Sequence, residues 1–180
     1  MEFTSTQDES ALVRAAKEDT EAFARLYDRY VQRLYHYCHH RTNSVHDAED
    51  LTSQTFLAAL EAFPRYRWDG HFAAWLFTIA RHKVVDYYRR QPSIPLDESM
   101  VAPIHIDLAL ETEISQQEAI LLRAIRALSE DEQELICLRY VAELPFIEIA
   151  KALRKSEGAT KKMMYRLLAR LKSQMEAEHE

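Results

Sequence analysis

Glycine is almost absent from this chain: Gly70 and Gly158 are the two in 180 residues. Proline occupies five positions, and three of them, Pro92, Pro95 and Pro103, fall in one short stretch. So little of either residue, with few β-branched runs, argues against a turn-rich β architecture and for helices. Cysteine is as scarce. Cys38 and Cys137 lie far apart and in different predicted domains, so they read as small buried residues in a reducing compartment rather than as a disulfide. No apolar run approaches the ~20 residues that span a bilayer, and the polar N-terminus has no signal-peptide pattern. The expectation is an all-α, cytoplasmic protein with no membrane insertion.

Net positive charge is also missing. The formal net charge is −6, which by itself argues against a nucleic-acid binder. The charge is sorted by segment, however. From Gln91 to Glu118 there is no Lys or Arg, while Asp97, Glu98, Asp107, Glu111, Glu113 and Glu118 gather there. From Lys151 to Lys172 the balance inverts, with eight Lys or Arg against Glu157 alone. A global charge hides such segregation. Periodicity is lost over the acidic, proline-containing stretch, so it reads as a linker. The expected organisation is two small helical domains, 1–90 and 115–180, joined by an acidic linker over 91–114.

Within the first domain, Met1 to about Gln7 reads as frayed, and a short helix follows to Lys17. Thr20 is a candidate cap for a long amphipathic helix carrying Phe23, Leu26, Tyr27, Tyr30, Val31, Leu34 and Cys38. Its end holds His36, His39 and His40. His36 and His40 stand one turn apart, a spacing two metal ligands could share, but no second Cys/His cluster completes a site, so no metal and no cofactor are expected. Ser44 opens the next helix with Asp47 three residues on, and Pro64 ends it. Asp47, Asp50 and Gln54 form a polar stripe at i, i+3, i+7. The helix dipole accounts for Asp47, but its benefit has faded by Asp50 and Gln54.

After a turn at Asp69-Gly70, a helix follows with two apolar stripes. Phe72, Trp75, Leu76 and Ile79 make one; Phe77, Arg81, Val84 and Tyr88 make the other. One stripe suits a core. The second mixes rings with a cation, which suits stacking on unpaired bases while holding phosphate. An ordinary core helix with a solvated basic end also fits these residues.

In the second domain, Ser129 with Glu132 makes a capping box. A short helix is expected from Leu144-Pro145, with proline at its first position. A break at Arg154 to Ser156 leads to a last helix with Ser156 as its cap. Two helices joined so tightly read as helix-turn-helix. The last helix carries Lys161, Lys162 and Arg166 on one side and Met164, Leu167, Leu168 and Leu171 on the other.

Three segments resemble one family in the same order. F-A-A-W-L-F-T-I-A-R-H-K-V-V-D-Y-Y-R-R, from Phe72 to Arg90, resembles the promoter-melting helix of bacterial sigma factors of the extracytoplasmic-function (ECF) group. D-A-E-D-L-T-S-Q-T-F, from Asp47 to Phe56, resembles the helix by which sigma factors grip the clamp of core RNA polymerase. The segment Pro145 to Lys172 resembles the group's second DNA-binding domain. The resemblance implies a non-enzymatic promoter-specificity subunit. Its implied partners are core RNA polymerase, double-stranded promoter DNA, the melted single strand and an anti-sigma protein. It places Asp47, Asp50, Leu51 and Gln54 on the polymerase. It places Tyr66, Arg67, Phe77, Arg81 and His82 at the minus-ten element, and Lys155, Ser156, Lys161, Lys162 and Arg166 at the minus-thirty-five element. The chain departs from the family at Ser53-Gln54, at His82 (commonly asparagine), at Arg154 (usually glycine) and at Met163 (usually arginine). A DNA-binding regulator that never engages polymerase is the rival reading, and it leaves the Asp47–Phe56 stripe unused. A metal-dependent helical enzyme built on the histidines is a third, and it lacks a closed ligand set.

Overall fold

The first long helix begins where a carboxylate can satisfy its free amides. In the computed structural model, which describes residues 6–90 and 116–177, Asp19 accepts from Glu21 N at 2.9 Å and opens α2, Thr20–Thr42. The cap therefore sits one residue before Thr20, and Thr20 is the first helical residue. A shorter α1, Thr6–Ala15, precedes it. Asn43 closes α2 in the left-handed region, φ 52°, and its N–H reaches His39 O. Ser44 then caps α3, Val45–Ala62, through Asp47 N. A 3-10 turn, Phe63–Arg65, carries Pro64. Gly70, at φ +90°, lets the chain reverse into α4, Phe72–Arg89, while Asp69 Oδ1 accepts from His71 N.

Rings fill the space between α2, α3 and α4. Phe63 meets Phe23 edge-on at 5.2 Å and Phe72 at 6.2 Å, and Tyr66 lies 4.4 Å from Trp75. Leu26, Leu34 and Leu76 are fully buried beside them. Each such side chain stabilises the fold by roughly 1.5–3 kcal/mol.

The second unit starts with α5, Gln116–Arg126, and α6, Glu130–Ile136. The capping box of Ser129 and Glu132 forms as expected. Buried Gln133, which sequence reading passed over, donates to the carbonyls of Arg126 and Leu128 and ties down the α5–α6 loop. A π-helical turn, Cys137–Val141, extends α6. Then come α7, Phe146–Ala152, and α8, Glu157–Ala177. Pro145 is the residue before α7 rather than its first helical position. The expected linker, 91–114, and the frayed start lie mostly outside the described residues.

α7 ends in a left-handed residue, with Lys155 N donating to Ala150 O at 2.8 Å. That residue is Arg154, at φ 54°, where the resembling family has glycine. A side chain in this region costs ~1–2 kcal/mol, and glycine's extra unfolded freedom returns part of it. Arg154→Gly is therefore expected to stabilise the chain by up to about 1 kcal/mol. Urea unfolding checks it: the midpoint should rise with the slope unchanged.

The two units pack directly on each other. α7 packs on α4, and the π-turn packs on α2. Arg33 Nε donates to Ala142 O at 2.7 Å, and Lys151 Nζ meets Asp69 Oδ2 at 2.7 Å.

Candidate nucleic-acid and polymerase interfaces

The turn before α4 and the start of that helix form an open cleft of about 480 Å³. Arg65, Tyr66, Arg67, Asp69, His71, Trp75 and Thr78 line it, and Lys151 of α7 closes one side. Tyr66 is buried between Phe63 and Trp75, and its hydroxyl has no hydrogen-bond partner among the described residues. Burial pushes that phenol well up from its usual range, reinforced by Asp69 and Glu148. Burial would raise the Asp69 carboxyl, but the Lys151 hydrogen bond and charge outweigh it and hold it low. Rings and cations lining one cleft can stack on a base and hold its phosphate.

The expected minus-ten residues do not share one surface. Arg67 and His82 are exposed, Tyr66 edges the cleft, and Arg81 is partly covered. Phe77 is 1% exposed and packs edge-on against Tyr37 at 5.6 Å. Val84 and Tyr88 of the same stripe are buried as deeply, so the stripe expected to face bases faces the core. The reason is that α4 is covered on two sides, by its own domain and by the second unit. Trp75, assigned by its spacing to the core stripe, is instead half-buried and lines the cleft. The signal that could have found it was its place one helical turn past the Asp69-Gly70 reversal.

On α3, Asp50 is exposed and accepts from Gln54 Nε2 at 2.6 Å. Asp47 is half-buried and accepts from Tyr87 Oη at 3.0 Å. Leu51 is 3% exposed, so it is not a surface residue. It falls on the inward side of α3, one turn from Ala48 and one turn from Thr55, both buried.

On α8, Ser156 accepts from Ala159 N at 3.2 Å and so caps the helix. Lys162 and Arg166 are exposed. Lys161 is held by Glu157 at 2.5 Å and lies over the Phe146 ring. Lys155 is exposed and 3.4 Å from Asp131. Met163 is half-buried and packs against the core, which leaves little of it for a DNA contact. Among the described residues no group of His, Cys, Asp and Glu could hold a metal ion, and no helix is long and apolar enough to cross a membrane.

Residues 26–93 match the family described as Sigma-70 region 2, and residues 118–171 match Sigma-70, region 4. The chain is 32% identical over 176 residues to the ECF RNA polymerase sigma factor ShbA of Streptomyces griseus, covering 89% of this chain and 91% of that protein. The chain belongs to the ECF sigma factor family. This sigma factor is also 37% identical over 166 residues to the ECF RNA polymerase sigma factor BldN of Streptomyces coelicolor. That match takes in 88% of this chain and 62% of BldN. In fold it resembles the sigma factor RpoE solved in complex with the anti-sigma factor NepR from Bartonella quintana. The TM-score is 0.60 and the identity 22%, over 86% of this chain and 96% of that one. Family membership makes it a promoter-recognising subunit of RNA polymerase, an initiation factor with no catalytic step of its own.

Proposed function

We propose that residues 1–90 of this sigma factor bind core polymerase and the minus-ten element, that 115–180 read the minus-thirty-five element, and that 91–114 join them. Asp50 and Gln54, flanked by Asp47, meet basic and polar groups of the polymerase clamp. The cleft beside Tyr66 and Trp75 takes a base from the melted strand, with Arg67, His82 and, once uncovered, Arg81 near the backbone. Lys162 and Arg166 enter the major groove, with Lys161 beside them, while Lys155 and Ser156 sit near phosphates. An anti-sigma protein is the proposed regulator, and the cytoplasm the proposed location. The observation that carries this reading is the paired display of an exposed basic face on the second helix of a helix-turn-helix and an aromatic, basic cleft at α4.

Transcription from a genomic fragment library with purified core polymerase tests the reading. RNA starting at discrete sites only when the chain is present supports it; no factor-dependent start would overturn it. Within that assay the two kinds of α8 contact separate. Lys162→Ala is expected to lose about 1–3 kcal/mol on the preferred minus-thirty-five sequence and little on others. Lys155→Ala is expected to weaken binding evenly on all sequences and to lower the salt slope by roughly 1. Holoenzyme titrations on preferred and scrambled duplexes at several salt concentrations measure both. Equal losses on both duplexes for Lys162→Ala would restrict α8 to gripping the backbone.

A further inference from the structure

Two carboxylates of the helix-turn-helix unit are buried, and every charged or hydrogen-bonding partner found for them lies in the other unit. Glu134 of α6 is fully buried. Its Oε1 accepts from Tyr37 Oη at 2.9 Å and stands 4.0 Å from Arg81 Nε. Its Oε2 stands 3.2 Å from Arg41 Nη1, off the hydrogen-bonding direction, since neither atom has a hydrogen-bond partner among the described residues. Glu148 of α7 is 8% exposed. Its Oε2 accepts from Ala74 N at 2.6 Å, and its Oε1 lies 3.1 Å from His71 Nδ1. α4 has no capping side chain of its own, because His71, in the cap position, makes no cap bond. Glu148 supplies that cap from the other unit.

These positions have one chemistry in common. An anion sits at the free amides of a helix start, and another anion sits beside an arginine of the same helix. A phosphate would be held in the same way. We propose that Glu134 and Glu148 latch the sigma factor closed, occupying on α4 the places where the backbone phosphates of single-stranded promoter DNA would sit. The latch rests on the reading of α4 as the minus-ten helix. In the closed state Arg81 is 29% exposed, α7 packs on α4 and Lys151 walls the cleft, so part of the helix surface a strand would follow is covered. The latch is also built to release. A buried ion pair regains hydration when its partners separate, unlike an apolar contact, and the closed state leaves Arg41 Nε and Nη1, Arg81 Nε and Glu134 Oε2 without hydrogen bonds among the described residues. Opening returns the carboxylate to water and the guanidinium groups to water or to phosphate.

The test uses the full chain, labelled for energy transfer at Leu57→Cys and Tyr165→Cys, both exposed, with Cys38 and Cys137 buried and unlabelled. The probe is a dye-labelled, mixed-sequence single-stranded DNA of about one helical turn. Wild type is expected to give one compact transfer population and weak DNA binding. Glu148→Arg and Glu134→Gln should each shift the population toward larger separation and tighten DNA binding by about tenfold, because affinity scales with the fraction open. Glu18→Gln, an exposed acid with the same loss of charge as Glu134→Gln, should change neither. A wild-type chain that is already extended when free overturns the latch whatever the variants do. So does a compact wild type whose folded variants neither open nor bind DNA more tightly. Factor-dependent transcription with core polymerase is run alongside. If it is absent the sigma reading has failed; if it is present with no opening in the variants, only the latch has failed.

Discussion

Phe77→Ala is expected to lower the free energy of unfolding by about 3–5 kcal/mol, the range for a phenylalanine removed from a packed core. The ring is 1% exposed and meets Tyr37 edge-on, and Tyr37 is itself fully buried and donates to Glu134. Truncation leaves a cavity between α2 and α4 directly beneath the contact with the second unit. Phe77→Leu keeps most of the volume and should cost under about 1.5 kcal/mol. Urea unfolding followed by circular dichroism reads both, as a large midpoint shift for alanine and a small one for leucine. A base-stacking ring on the helix surface predicts the opposite pattern: near-wild-type stability and a loss confined to promoter melting. Finding that pattern would mean that Phe77 faces solvent in the free protein.

The contrast between these two outcomes marks where sequence ceases to specify structure. Local chemistry was legible. The caps at Ser44 and Ser129, the reversal at Gly70 and the tight break before Ser156 are each decided by a few neighbouring residues, and each is where short-range hydrogen bonding requires it. Even the slip from Thr20 to Asp19 is a choice between adjacent capping side chains. What periodicity could not decide was which of two apolar stripes on α4 is outward. With a second unit packed on the helix neither is, and among the rings of those two stripes it is Trp75 that is half-exposed. Leu51 failed for a related reason. A motif marks a segment as contacting a partner, but the helical repeat still turns every third or fourth residue inward. Glu134 and Glu148 were illegible altogether. Their partners, Tyr37 and Ala74, are 97 and 74 residues away, and a carboxylate in a short amphipathic helix looks solvated until the opposite surface is known.

Asp50→Arg is expected to weaken binding to core polymerase by about 2 kcal/mol or more while leaving the fold intact. Its position separates these two effects. Asp50 is exposed on α3, and the side-chain hydrogen bond it makes is to Gln54, one turn along the same helix. Exchanging the charge costs the isolated chain little, because solvent screens an exposed group and arginine favours helix. Its neighbours offer no such clean test. Asp47 accepts from Tyr87 of α4, so replacing it also loosens the α3–α4 packing. Leu51→Ala would open a core cavity and lower binding through stability alone. Against a basic partner surface, Asp50→Arg turns an attraction into a like-charge contact at the interface, and the loss should shrink as salt rises. The measurement is a competition titration of labelled wild-type chain on core polymerase at low and high ionic strength, with thermal unfolding of the variant as the control for folding. An affinity within about twofold of wild type at low salt, from a variant with unchanged unfolding, would show that this face of α3 points away from the polymerase.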